Sequence, residues 1–111
     1  MNRPGNTDTL TEITQSRTTY ERSSEILKAL SHPVRLKILQ VLLNNQICVS
    51  EIVTNLKLPQ AIISHHLSVL RNKQVLTSQK KGTRIWYMIN DDLSKEITSY
   101  LKRHCNTGKT R

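Results

Sequence analysis

The chain has 111 residues, a formal net charge of +9 and two cysteines, enough length for one ordinary domain and too little for two. No apolar run approaches the roughly 20 residues of a membrane-spanning helix and the N-terminus lacks the apolar core of a signal peptide, so a cytoplasmic protein with no membrane partner is expected. Two cysteines are too few for a secreted disulfide scaffold, and the basic excess points to a polyanionic partner.

In chain order, residues 1–19 carry much Thr, Asn and Gly and few large apolar groups, which predicts a disordered N-terminal arm. Residues 20–105 form the expected domain, and 106–111 a flexible C-terminal tail. Ile26, Leu27 and Leu30 make a helical stripe that ends at Ser31-His32. Pro33 opens a second helix, where its missing N–H costs nothing, and Leu36, Ile38, Leu39, Leu42 and Leu43 give it a broad apolar face. Asn44-Asn45-Gln46 breaks that helix. Ile47-Cys48-Val49 is a short β-prone run, and Ser50 is expected to cap a third helix that buries Ile52, Val53 and Leu56.

Lys57-Leu58-Pro59 ends the third helix, and Ile63, Leu67 and Leu70 mark the core side of a fourth. Past Asn72 the apolar period drops to two, over 75–81 and again over 84–89, which predicts a β-hairpin turning at Gly82. Asn90-Asp91-Asp92 caps a fifth helix whose Leu93, Ile97, Tyr100, Leu101 and His104 share a face. The fold class is mainly α with a β-hairpin wing: about five helices plus a two- to three-stranded sheet. Two short helices joined by a tight turn and followed by a basic hairpin are the parts of a winged helix-turn-helix.

The charge is concentrated where that motif lies. From Ile52 to Asn90 there is no Asp or Glu, while Lys57, Arg71, Lys73, Lys80, Lys81 and Arg84 are positive. A surface that only has to stay soluble mixes both signs, so this stretch reads as a binding face for duplex DNA. A helical wheel places Ala61, Ser64, His65 and Ser68 opposite the apolar stripe of the fourth helix, with Gln60 and Arg71 on its flanks. Gln and Arg make paired hydrogen bonds to base edges, Ser and His are short donors, and Ala permits close approach. Lys80, Lys81 and Arg84 surround the hairpin turn and reach for phosphates. His66 falls beside the apolar stripe and reads as a partly buried structural residue.

Three blocks carry a family likeness: residues 29–39 (ALSHPVRLKIL), 48–52 (CVSEI) and 63–70 (ISHHLSVL), with a basic Gly turn and aromatic strand at 81–89. From about Glu25 to Cys105 the chain resembles the ArsR/SmtB bacterial repressors. That resemblance implies a homodimer that sets two recognition helices against a palindromic operator and releases it on an inducing signal. Dimerisation also follows from the apolar stripes of the first and last helices, which a core this small need not consume; Ile26, Leu27, Leu93, Ile97, Tyr100 and Leu101 are the expected interface.

Family members often sense metals, and the resemblance supplies site types to test. Arsenic- and cadmium-type members carry Cys-Val-Cys where this chain has Cys48-Val49-Ser50, one thiolate short. Zinc-type members use four positions on the last helix, of which Asp91 and His104 match while Leu93 and Thr107 do not. No metal and no cofactor is therefore expected.

Other members sense oxidants or reactive sulfur through a cysteine near the DNA-binding helices and another at the end of the last helix. Cys105 matches the second place, whereas Gln40 stands where the first usually lies. Cys48, just before a helix N-terminus, and Cys105, beside His104, are the candidate sensor thiols; the plainer reading makes Cys48 a small core residue and Cys105 an incidental surface thiol. Three alternatives stay open: a repressor without a small-molecule sensor, a soft-metal sensor, and a winged-helix module that binds only protein. No phosphate loop, nucleophile set or paired carboxylates point to an enzyme.

Overall fold

The structure is a computed structural model that describes residues 17–105. The tail expected over 106–111, and the arm as far as residue 16, lie outside the described residues. The elements run α1 (Arg17–Leu30), α2 (Pro33–Leu42), β1 (Ile47–Cys48), α3 (Val49–Leu56), α4 (Gln60–Asn72), β2 (Leu76–Lys81), β3 (Arg84–Ile89) and α5 (Asp92–Cys105). Among the described residues these are five helices and the wing of a winged helix-turn-helix, with a three-stranded antiparallel sheet ordered β1-β3-β2.

The helix ends follow from local chemistry. Pro33 is the first residue of α2, and His32 caps it by accepting the Val34 N–H on Nδ1 at 3.0 Å. The cap of α3 is Cys48, two residues before the Ser50 expected from cap propensity. Glu51 decides this: its carboxylate reaches back to the Cys48 N–H at 3.4 Å and to the thiol at 3.6 Å, as an acid at the third helical position does in a capping box. Lys57 closes α3 in the left-handed conformation, φ 57°, donating its N–H to Val53 O at 2.8 Å. Only Lys57, Leu58 and Pro59 separate α3 from α4. Asp91 caps α5, its Oδ2 accepting both the N–H and the hydroxyl of Ser94 at 2.8 Å.

One core joins the parts. Ile38, Leu39 and Leu42 of α2, Ile52 of α3, Ile63, Leu67 and Leu70 of α4, and Val75 and Leu76 entering the wing are all buried. Burying a side chain of this size contributes about 1.5–3 kcal/mol, so the α4 stripe fixes which face of that helix turns outward. In the sheet, Lys81 pairs with Arg84 across the two-residue turn Gly82-Thr83, and Ile47 and Cys48 pair with Tyr87 and Trp86. Gly82 supplies the positive φ, 64°, that the first position of such a turn demands.

One sequence expectation is corrected in the outer helices. Ile26, expected at a dimer interface, is 3% exposed and belongs with Ala29 and Leu30 to the chain's own core. On α5 the residues turned fully inward are Ser94 and Thr98, not the apolar stripe. Small side chains let α5 approach α2 closely, where Gln40 Nε2 donates to Thr98 O at 2.9 Å. Leu93, Ile97 and Leu101 are left half-buried, and Tyr100 and Leu27 exposed at 54% and 48%.

Candidate nucleic-acid interface

α4 and the wing form one surface. The core stripe turns Ala61, His65, Ser68 and Arg71 outward, with Gln60 exposed at the start of the helix and Ser64 half-buried. The wing turn lies at the same end of the molecule: Thr83, Arg84 and Ile85 share a cleft of about 430 Å³ with Gln60 and with Cys48, Val49 and Ser50 at the start of α3. The hairpin is therefore folded toward the first turn of α4.

The cations differ in what already holds them. Lys80, Arg84, Arg71 and Lys57 are exposed and have no ion-pair partner among the described residues. Lys73, by contrast, binds Glu25 at 2.8 Å, and the Lys73 and Lys28 ammonium groups hold the Glu25 carboxyl below its ordinary value. Lys81 is occupied in part, donating to Gln46 Oε1 at 2.8 Å with its ammonium 5.9 Å from the Trp86 ring. Its charge remains on the surface, but its contact tethers the wing to the β1 end of the domain.

His66 is 7% exposed, the structural residue that its wheel position predicts. Sequence reasoning missed its partner Arg35, whose Nη1 lies 3.3 Å from His66 Nδ1 and whose Nε donates to Ala29 O at 2.6 Å. The available signal was an arginine set between Val34 and Leu36 on a helix that packs into the core, where a guanidinium needs an acceptor. Ile62, 43% exposed on α4, was also missed: it sits outside the buried stripe, where an apolar side chain can meet a thymine methyl group.

The thiols are far from equivalent. Cys48 is buried, with Sγ 3.3 Å from Ser50 Oγ and donating to Glu51, whereas Cys105 is exposed at the end of α5. Among the described residues no group of three or more His, Cys, Asp or Glu side chains is disposed to hold a metal ion. No helix among them is long and apolar enough to cross a membrane.

Comparison with known proteins places this architecture. The family model for bacterial regulatory proteins of the arsR family matches residues 32–78, from the cap of α2 into β2. An uncharacterized HTH-type transcriptional regulator of Methanocaldococcus jannaschii is 46% identical over 79 residues, 70% of this chain and 89% of its own length. The transcriptional repressor PagR of Bacillus anthracis is 42% identical over 82 residues, 73% of this chain and 82% of its own. Its crystal structure superposes with a TM-score of 0.71 at 38% identity, covering 76% of this chain and 97% of that one. HlyU from Vibrio cholerae superposes with a TM-score of 0.75 at 29% identity over 80% and 98% of the two chains. With the fold, the order of elements and relatives of this similarity in agreement, the chain is a member of the ArsR family of bacterial regulatory proteins.

Proposed function

We propose that the protein is a homodimeric, sequence-specific repressor that sets α4 of each protomer into the major groove of a palindromic operator and lays the wing along the adjoining backbone. The observation that carries this reading is the placement of unpaired Arg84 at the wing turn beside Gln60, with Lys80, Arg71 and Lys57 likewise free of carboxylates. Gln60, Ala61, Ser64, His65 and Ser68 then face base edges, Arg71 the groove flank, and Lys80, Lys81 and Arg84 the phosphates. The name of PagR as a transcriptional repressor supports the direction of regulation.

Homodimerisation is supported by exposed Leu27 and Tyr100 beside the half-buried stripe of Leu93, Ile97 and Leu101, because α5 turns Ser94 and Thr98 fully inward and leaves part of this apolar surface uncovered. The buried cap contacts of Cys48 support a structural role for that thiol, so we assign the cysteine pair no sensing role.

Fluorescence anisotropy on DNA from the protein's own promoter, over a salt series, tests the reading. Each phosphate neutralised contributes a slope of about −0.9 in log affinity against log salt, so a steep slope and a preference for one sequence are expected. A shallow slope with no preferred sequence would leave a module that binds only protein.

A further inference from the structure

The middle of α4 is held by a polar contact that groove binding does not use. His66 Nδ1 meets Arg35 Nη1 at 3.3 Å, its ring centroid lies 4.4 Å from that of His32 and 5.1 Å from that of His65, and Arg35 Nε is bound to Ala29 O. One guanidinium thus joins the end of α1, the first turn of α2 and the recognition helix. A guanidinium has no acceptor, so His66 Nδ1 must accept, and only a neutral imidazole with its proton on Nε2 can do so. His32 Nδ1 accepts in the same way from the Val34 N–H. A proton on His66 Nδ1 would cancel the bond and set an imidazolium against a guanidinium, with little solvent to spread the charge.

The surroundings do not offset this. α1, α2, α3 and β2 all pack on α4, yet among the described residues the charged groups that act on His66 are His32, Arg35 and His65, each a cation when ionised. Burial first, and then those three groups, hold the His66 imidazole below its ordinary value of 6.5. A ring lowered in this way is neutral in place and takes up a proton more readily once released, so its contribution is complete above about pH 6.5 and is lost as pH falls through its own lower value.

We propose that Arg35 is a positioning residue for DNA recognition: through neutral His66 it fixes the outward face of α4, and that placement is released when His66 is protonated. The DNA half of this inference rests on the function proposed above; the placement of α4 does not. Ser64, His65 and Ser68 sit within a turn of His66, so a shift of α4 by a fraction of an ångström takes their donors out of hydrogen-bond range. The sign is diagnostic, because protonation of exposed His65 would add attraction to phosphates and raise affinity.

Two measurements on the full chain decide it. Without DNA, NMR follows the histidine rings and amide exchange from about pH 7.5 to about pH 5.5. After correction for intrinsic rates, α4 amides should lose protection in step with His66 protonation while α5 amides do not. In His66→Gln, whose side-chain carbonyl still accepts from Arg35 but does not titrate, that pH dependence should vanish. In Arg35→Gln the His66 midpoint should move up toward its ordinary value, a shift that a merely stabilising arginine would not cause. Loss of protection that tracks another histidine, or that persists in His66→Gln, overturns the proposal. Should His66→Gln fail to fold, the wild-type titration and Arg35→Gln carry the same decision.

With DNA at fixed salt, wild-type affinity should fall on acidification by up to about tenfold per pH unit for each protomer engaged, below the His66 midpoint, and that of His66→Gln should stay flat or rise. Equal pH slopes in the two proteins refute the positioning role. Absence of DNA binding at every pH refutes the proposed function instead, and the exchange experiment still judges Arg35.

Discussion

Thr98 shows how far one side chain can stand from its local optimum. Its hydroxyl is buried on the inner face of α5 with no hydrogen-bond partner among the described residues, while its backbone carbonyl accepts from Gln40. Replacing the hydroxyl by a methyl group removes the desolvation cost and keeps the shape, so Thr98→Val should stabilise the fold by about 1–3 kcal/mol in urea denaturation. Gly82 gives the opposite case. A Cβ there would meet nothing within 4 Å, so any loss in Gly82→Ala comes from the positive φ alone; about 1 kcal/mol of destabilisation is expected, with the core unchanged. A larger loss would mean that the turn is held by more than its backbone. Neither position was fully legible beforehand. Gly82 announces a turn by its type, whereas the inward face of α5 is set by how closely two helices approach, and apolar periodicity turned attention to Leu93 and Ile97 instead.

At the scale of elements, the helices with strong apolar stripes were readable in place. α2 begins at Pro33 and α4 at Gln60, each beside a proline where the chain's punctuation put it. The hairpin was readable because the period changes from helical to alternating at Val75. The start of α3 was misplaced because the cap is chosen by an acid three residues on, Glu51, and not by the best capping side chain nearby. The candidate site divides in the same way: outward residues of α4 follow from a wheel, but the Arg35–His66 contact joins positions 31 residues apart and only the folded chain brings them together. α4 and the wing also make separable contributions. Lys80→Gln with Arg84→Gln should weaken binding evenly across sequences and make the salt slope shallower by about 2 per protomer, whereas Gln60→Ala should cost about 1–3 kcal/mol at particular base pairs. Binding across a salt series to a preferred and a scrambled site separates the two effects.

For the whole molecule, the proposed pairing of two copies rests on the outer helices. α5 turns Ser94 and Thr98 fully inward and leaves Tyr100 exposed, and α1 leaves Leu27 exposed beside its buried Ile26 and Leu30. Tyr100→Glu should therefore give a folded monomer whose mass in sedimentation is half that of the wild type, with operator affinity reduced because two half-sites no longer bind together. An unchanged dimer would place the interface elsewhere. Glu25, joined to Lys73 just past the end of α4, couples that outer layer to α4, an arrangement that no pattern in the chain announces.

The strand order has a further consequence. One margin of the sheet is β1, two residues long, and the other is β2, which carries Lys80 and Lys81 toward the wing turn. On the first side β1 covers only Trp86 and Tyr87 of β3, and on the second the like charges of Lys80 and Lys81 repel a second ribbon laid alongside. The charged β2 margin therefore disfavours edge-to-edge pairing of two wings through that strand.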